Sequence, residues 1–224
     1  MSLNGTSTIT QVDDFALIFE KYRGRVLLRK ALNLQTEEPS LEWLSPLDRK
    51  LDYFAIANYK NKLIFLSGGF GSEYVPLHHY NVYVYNIACD YWVLAPRMNR
   101  GRMSHSSCTL GEHVYAFAGE NESSIESLHV KAGQRWVLLL EQTQILKRAM
   151  SSVAILNDHS IAIYGGSSKN NNTVEDTCHN EGVVFDTTTK TARPILGNPN
   201  DVMFTCTSPS HQLSSEVFVT LASY

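Results

Sequence analysis

The sequence predicts an all-β protein made of a repeated four-stranded antiparallel unit. Three observations carry that prediction. The stretch Lys62-Leu63-Ile64-Phe65-Leu66-Ser67-Gly68-Gly69 is a short apolar strand running straight into two glycines. Tyr85 and Trp92 follow it, and the same order returns downstream. Arg102 and Arg148 open two such copies, which sets a period of 46 residues.

Composition allows this fold and narrows the function. The chain has 224 residues, enough for one large all-β domain burying roughly 70% of its unfolded surface. A formal charge of −3, from 19 basic and 22 acidic residues without a sustained run of either sign, argues against a nucleic-acid or membrane-surface role. The start, Met1-Ser2-Leu3-Asn4-Gly5-Thr6, lacks the basic-then-apolar pattern of a signal peptide, so a cytoplasmic location is expected. No apolar run approaches the ~18 residues of a membrane span. Cys89, Cys108, Cys178 and Cys206 are far apart and read as free thiols in a reducing compartment.

Residues 1–49 are the least regular part. Asp14 to Phe19 and Arg25 to Leu28 read as strands around a turn at Tyr22-Arg23-Gly24, and Leu41 to Leu44 as a third. A helix across Arg25 to Leu34 stands as an alternative, because Leu, Lys, Arg and Ala favour helices. From Lys50 the pattern is regular. Tyr53 to Ala57, Leu63 to Leu66, Asn81 to Asn86 and Tyr91 to Leu94 make the unit over 50–101. The unit over 102–147 has His105 to Leu110, Val114 to Ala118 ending at Gly119-Glu120, Leu128 to Val130, and Trp136 to Leu138. In the unit over 148–200, Ser152 to Leu156 and Ile161 to Tyr164 lead to Gly165-Gly166 and then Val183 to Phe185. Residues 201–224 supply a partial unit, with Met203 to Thr207 and Val217 to Leu221.

The offsets separate a repeat from an impression. Arg102 to Gly119 and Arg148 to Gly165 are both 17, while Lys50 to Gly68 is 18 and has a longer turn at Asn58 to Lys62. Tyr85 to Trp92 and His129 to Trp136 are both 7, and Phe185 plus 7 falls on Ala192. Glu120 stands in this alignment where the other copies have a second glycine.

Such a unit has two apolar faces and cannot bury both alone. Radial stacking of units solves this and leaves few open edges. The glycines serve sharp turns or close backbone approach. Trp and Tyr are large fillers whose polar atoms reach partners at unit boundaries.

Arg148…Ile161-Ala162-Ile163-Tyr164-Gly165-Gly166…Phe185 and Lys62 to Gly69…Tyr85…Trp92 resemble kelch repeats: apolar strand, double glycine, spaced Tyr and Trp. The other blade family of similar period ends its units in Trp-Asp, whereas Trp43, Trp92 and Trp136 are followed by Leu, Val and Val. The resemblance implies a kelch-type β-propeller of four-stranded antiparallel blades, here incomplete at about four to five blades. Kelch domains usually close with six or seven. A fragment, an open arc and a small propeller closed by its last strands all fit this count.

Arg102 and Arg148 share a phase of the repeat, with Lys50 in the third copy, so radial repetition places them on one rim of a central channel. In the resembling family such positions, with the residues after the double glycine (Phe70, Glu120, Ser167), contact partner peptides. Clustered guanidiniums would favour acidic or phosphorylated segments. The alternative, in which each arginine pairs with a local carboxylate to hold the repeat, stays open. No phosphate loop, Gly-x-Ser-x-Gly elbow or zinc-type spacing is present, and the eight histidines, including His78-His79, read as loop and surface residues. The expectation is therefore a non-catalytic scaffold that binds a protein partner, without metal or cofactor. The rival is an enzyme on the same architecture, such as a copper-radical oxidase or a sugar epimerase.

Overall fold

Strand after strand in this chain is apolar on both sides, and the molecule resolves this by stacking antiparallel sheets face to face. The structure, a computed structural model, describes residues 7–12, 15–22, 25–32, 40–71, 80–132, 134–141, 143–169, 176–195, 211–212 and 218–219. Among these, the sole helical element is a 3-10 turn at Gln144–Leu146.

The first sheet holds β1 (Ser7–Val12), β2 (Phe15–Tyr22), β3 (Arg25–Leu32), β4 (Ser40–Trp43) and β5 (Leu47–Lys50). β4 and β5 share one edge of β3. The helix alternative over Arg25 to Leu34 is thereby overturned: all eight residues of β3 pair with β2. The second sheet has β6 (Ala55–Tyr59), β7 (Leu63–Ser67), β8 (Val82–Asn86) and β9 (Tyr91–Ala95) in sequence order. The third repeats that order with β10 (Ser106–Leu110), β11 (His113–Phe117), β12 (Ile125–His129) and β13 (Val137–Leu140).

The fourth sheet begins with β14 (Ser152–Asn157) and β15 (Ser160–Tyr164). A separate two-stranded ribbon, β16 (Ser167–Lys169) and β17 (Asp176–Cys178), then precedes β18 (Gly182–Asp186) and β19 (Thr191–Ile195), which complete the sheet. A last pair, β20 (His211–Gln212) with β21 (Phe218–Val219), lies with β20 beside β14. The expected strand at Met203 to Thr207 lies outside the described residues.

Period-two alternation assigns the side chains of each central strand to two different interfaces. In β7, Ile64 and Leu66 pack with Leu17, Phe19 and Leu28 of the first sheet. Phe65, between them, packs with Val114, Ala116 and Leu128 of the third. In β11, Tyr115 and Phe117 turn the other way, onto Ile161, Ile163 and Phe185 of the fourth sheet. Each such burial stabilises by about 1.5–3 kcal/mol. The first strands of the units run side by side, β10 next to β6 and to β14.

Register corrects the phase of the repeat. Ala118 N–H bonds Ser124 O, as Gly68 N–H bonds Asn81 O and Gly165 N–H bonds Glu181 O. The middle copy therefore has Ala118-Gly119 where the others have Gly68-Gly69 and Gly165-Gly166, so Ala replaces the first glycine and Glu120 follows the pair. The second glycine is constrained in all three copies. A Cβ on Gly69, Gly119 or Gly166 would lie 2.7, 2.9 or 2.5 Å from the carbonyl oxygen of Asp52, Met103 or Ala149. Ala118 instead adopts a left-handed φ of +52°.

Two local insertions explain why spacing misled. The β6–β7 turn has three residues, Lys60 to Lys62, whereas the β10–β11 turn has two. β14 carries a register irregularity between Ile155 and Asn157 that adds a residue to the fourth sheet. The third sheet has neither, so its copy is one residue shorter. The same register aligns Leu128, not His129, with Tyr85 and Phe185.

The boundary role expected for Trp holds. Trp92 Nε1 donates to Ser45 O at 2.8 Å, between β4 and β5 of the first sheet, and Trp136 Nε1 donates to Pro96 O at 3.0 Å, just after β9 of the second.

Candidate functional site

Three loop systems meet at the end of the sheets where the glycine turns lie. Tyr53, Ser104 and Met150 occupy one phase of the repeat, two residues before the first strand of each four-stranded sheet. All three have left-handed backbone, with φ of +54°, +51° and +55°. Ser104 N–H donates to Tyr53 O at 2.8 Å, and Met150 N–H donates to Ser104 O at 2.7 Å. A chain of backbone hydrogen bonds thus joins the second, third and fourth sheets at this end. Gly69 N–H to Arg102 O (2.8 Å) and Gly119 N–H to Arg148 O (3.2 Å) reinforce it.

The arginines expected on the rim are in the walls instead. Arg102 is fully buried, and its Nε donates to Glu126 Oε1 at 3.1 Å. Its Nη1 donates to Ala118 O (2.7 Å) and Ser124 O (3.1 Å), and its Nη2 to Ser124 Oγ (2.8 Å). A guanidinium so enclosed presents no fork to a partner. This corrects the rim placement and favours the repeat-holding alternative.

Arg148, at the same phase, is also buried. Its Nη1 donates to Gly165 O (3.2 Å) and Glu181 O (2.9 Å), and its Nη2 to Ile145 O (3.0 Å). Its Nε has no hydrogen-bond partner. The third member of the set is Leu51, because Asp52 pairs with Phe70 as Ala149 pairs with Ser167. Lys50 is one residue out of phase and belongs to β5, pairing with Arg25. Phe70 exchanges backbone hydrogen bonds with Asp52 (2.9 and 2.7 Å) and is half-buried at the same end.

Between the third and fourth sheets this end opens into a cleft of about 130 Å³. Ser104, Glu120, Asn121, Lys147, Ser167 and Ser168 line it. Glu120 and Ser167 are thus brought together as expected for residues after the glycine pair, while Phe70 lies at another sheet. Lys147 forms no ion pair among the described residues. On the ribbon side, Ser168 Oγ is 3.1 Å from His179 Nε2, and His179 Nδ1 is 3.1 Å from Glu181 Oε1. That carboxylate lies 3.6 Å from Arg148 Nη2.

The opposite end is a cluster around Glu112. Lys60 Nζ and Tyr59 Oη donate to its carboxylate, and Lys131 Nζ lies 3.2 Å from it. These partners hold the carboxyl down to about 2, the Lys60 bond contributing most. His113 and His129 stack edge to face nearby, with ring centres 4.8 Å apart. Among the described residues no group of three or more His, Cys, Asp or Glu could hold a metal ion. Burial pushes the Cys108 thiol up to about 12, far from thiolate chemistry. His78 and His79 lie outside the described residues.

Sequence reasoning missed Ser168, His179 and Glu181. His179 lies eleven positions after Ser168, and it takes the β16–β17 pairing to fold them together. The alternating His179 and Glu181 was the one available signal, since positions two apart on extended chain share a face.

No family model matches the sequence, and no curated protein matches it. No helix among the described residues is long and apolar enough to cross a membrane. Among solved structures, the chain is similar to one described as "Structure of YjhT", at 12% identity and a TM-score of 0.69. The match covers 88% of this chain and 66% of that one, so the chain spans about two thirds of that protein's length. What the two share is the fold of successive antiparallel sheets.

Proposed function

We propose that the chain is a kelch-type β-propeller array that works as a protein-interaction scaffold, binding its partner through the loop-lined end of the sheets. The observation that carries this reading is the convergence of three units at that end. Backbone hydrogen bonds fix the Tyr53, Ser104 and Met150 segments there, with Tyr53 57% exposed and the Ser104 and Met150 segments lining a polar cleft. A rigid scaffold that displays loops is the usual way a sheet protein binds. An exposed tyrosine suits a protein partner, since Tyr supplies contact area at low entropic cost. With Arg102 and Arg148 enclosed, preference for an acidic segment falls to Lys147, the cation on the cleft wall. A cytoplasmic setting belongs to the same proposal and rests on the separated free cysteines.

The test is affinity capture with the wild-type chain and a Tyr53→Ala, Lys147→Glu double variant, neither change touching the sheet cores. Capture of a specific protein by wild type, reduced at least tenfold in the variant, is the expected result. Equal capture by both would remove this face as the binding surface.

A further inference from the structure

Ser168, His179 and Glu181 form a continuous relay that ends in the cleft between the third and fourth sheets. An ionised carboxylate only accepts hydrogen bonds, so His179 Nδ1 carries the proton that faces Glu181 Oε1. In the neutral ring Nε2 is then left to accept from the Ser168 hydroxyl, 3.1 Å away. Glu181 is anchored in turn by buried Arg148, through the carbonyl bond at 2.9 Å and the 3.6 Å carboxylate contact. Nucleophile, base and orienting carboxylate in hydrogen-bond sequence are the arrangement that activates a serine. Lys147, Asn121 and Glu120 line the same cleft, the first two being a cation and an amide of the kind that stabilises an oxyanion.

We propose that Ser168 is an activated nucleophile and that the cleft hydrolyses small carboxylic esters through an acyl-serine. Ser168 Oγ attacks the carbonyl carbon as its proton passes to His179 Nε2. Collapse of the tetrahedral intermediate breaks the carbon–alkoxy bond, and the departing alcohol takes that proton. Water then adds to the acyl carbon, giving its proton to Nε2, and expulsion of Oγ frees the acid and returns the proton to Ser168. Glu181 and Arg148 are positioning residues. The volume of about 130 Å³ restricts the acyl group to a few carbons. This activity does not depend on the scaffold reading, because it needs no protein partner.

The test treats the full chain with a fluorophosphonate, which bonds phosphorus to an activated serine and releases fluoride, and locates the adduct by peptide mass spectrometry. Hydrolysis of p-nitrophenyl acetate is followed in parallel. A single adduct on Ser168 is expected, absent in Ser168→Ala and formed about 100-fold more slowly in His179→Ala. Glu181→Gln should slow labelling of the folded protein, and wild type should release a burst of p-nitrophenol matching the labelled serine. A merely structural hydrogen-bond chain would produce neither effect. No adduct on folded wild-type Ser168, or an adduct forming at the wild-type rate in His179→Ala, overturns the proposal. Should Ser168→Ala not fold, the adduct's position in wild type and its rate in His179→Ala decide alone.

Discussion

Arg102 Nε lies 3.1 Å from Glu126 Oε1, and both side chains are fully buried. Glu126 also accepts from Asn99 N (2.8 Å), Asn99 Nδ2 (3.0 Å) and Arg100 N (3.2 Å), so the segment leading into the third sheet is tied to β12. Register places Leu51 and Tyr83 at the equivalent positions of the second sheet, where both join the apolar cluster. One site in the repeat thus has an ionic and an apolar solution.

Removing one partner leaves the other charge buried and unpaired. Arg102→Ala should destabilise by about 3–5 kcal/mol in urea unfolding. The paired change Arg102→Leu, Glu126→Tyr copies the second sheet and should recover a large part of that loss. The remainder reflects the Asn99 and Arg100 amides left without an acceptor. A double variant no more stable than Arg102→Ala would refute the equivalence.

The second glycine of each turn is a second point of test. Gly166→Ala would place a Cβ 2.5 Å from Ala149 O at a φ of +87°. Gly111 has φ +59° but nothing within 4 Å of its Cβ position. Gly111→Ala should cost about 1–2 kcal/mol from backbone strain alone. Gly166→Ala should cost about 1–3 kcal/mol more, because the ladder to Ala149 must also shift. Parallel thermal unfolding of the two variants checks this, and equal losses would contradict the close-approach argument.

His105 predicts acid sensitivity. Its Nε2 meets Ser67 Oγ at 2.9 Å, while its Nδ1 is buried without a partner. Burial first, and the Arg102 charge second, push it down to about 3. An unfolded histidine titrates near ~6.5. Between those values the unfolded chain binds the extra proton, so stability falls as pH drops from about 6.5 toward about 3. His105→Gln should flatten that slope by close to one proton in denaturant titrations across the range. An unchanged slope would mean that the ring is not held neutral in the folded chain.

Much of this architecture was legible in residue order. Apolar runs of four or five with glycine ends marked β7, β11 and β15, and Trp92 and Trp136 marked boundaries that their indole N–H groups in fact bridge. The phase was not legible, because a turn residue and a strand irregularity each add one position without altering composition. Ala118 hid the glycine pair for the same reason: left-handed backbone is a property of φ, and alanine carries no sign of it.

The arginines show where sequence stops. Their recurrence, 46 residues apart, follows from the sequence, but whether a guanidinium faces solvent or a wall depends on which carbonyls surround it. Ser124 and Glu126, more than 20 residues beyond Arg102, settle that. Likewise Ser168 and His179 become neighbours only when β16 pairs with β17. By itself the sequence determined an all-β chain of repeating four-stranded units with glycine turns, since alternation and turn chemistry are local properties. Only the tertiary structure decided which polar groups are enclosed, which are satisfied and which meet at a cleft, because those outcomes depend on contacts between residues far apart along the chain.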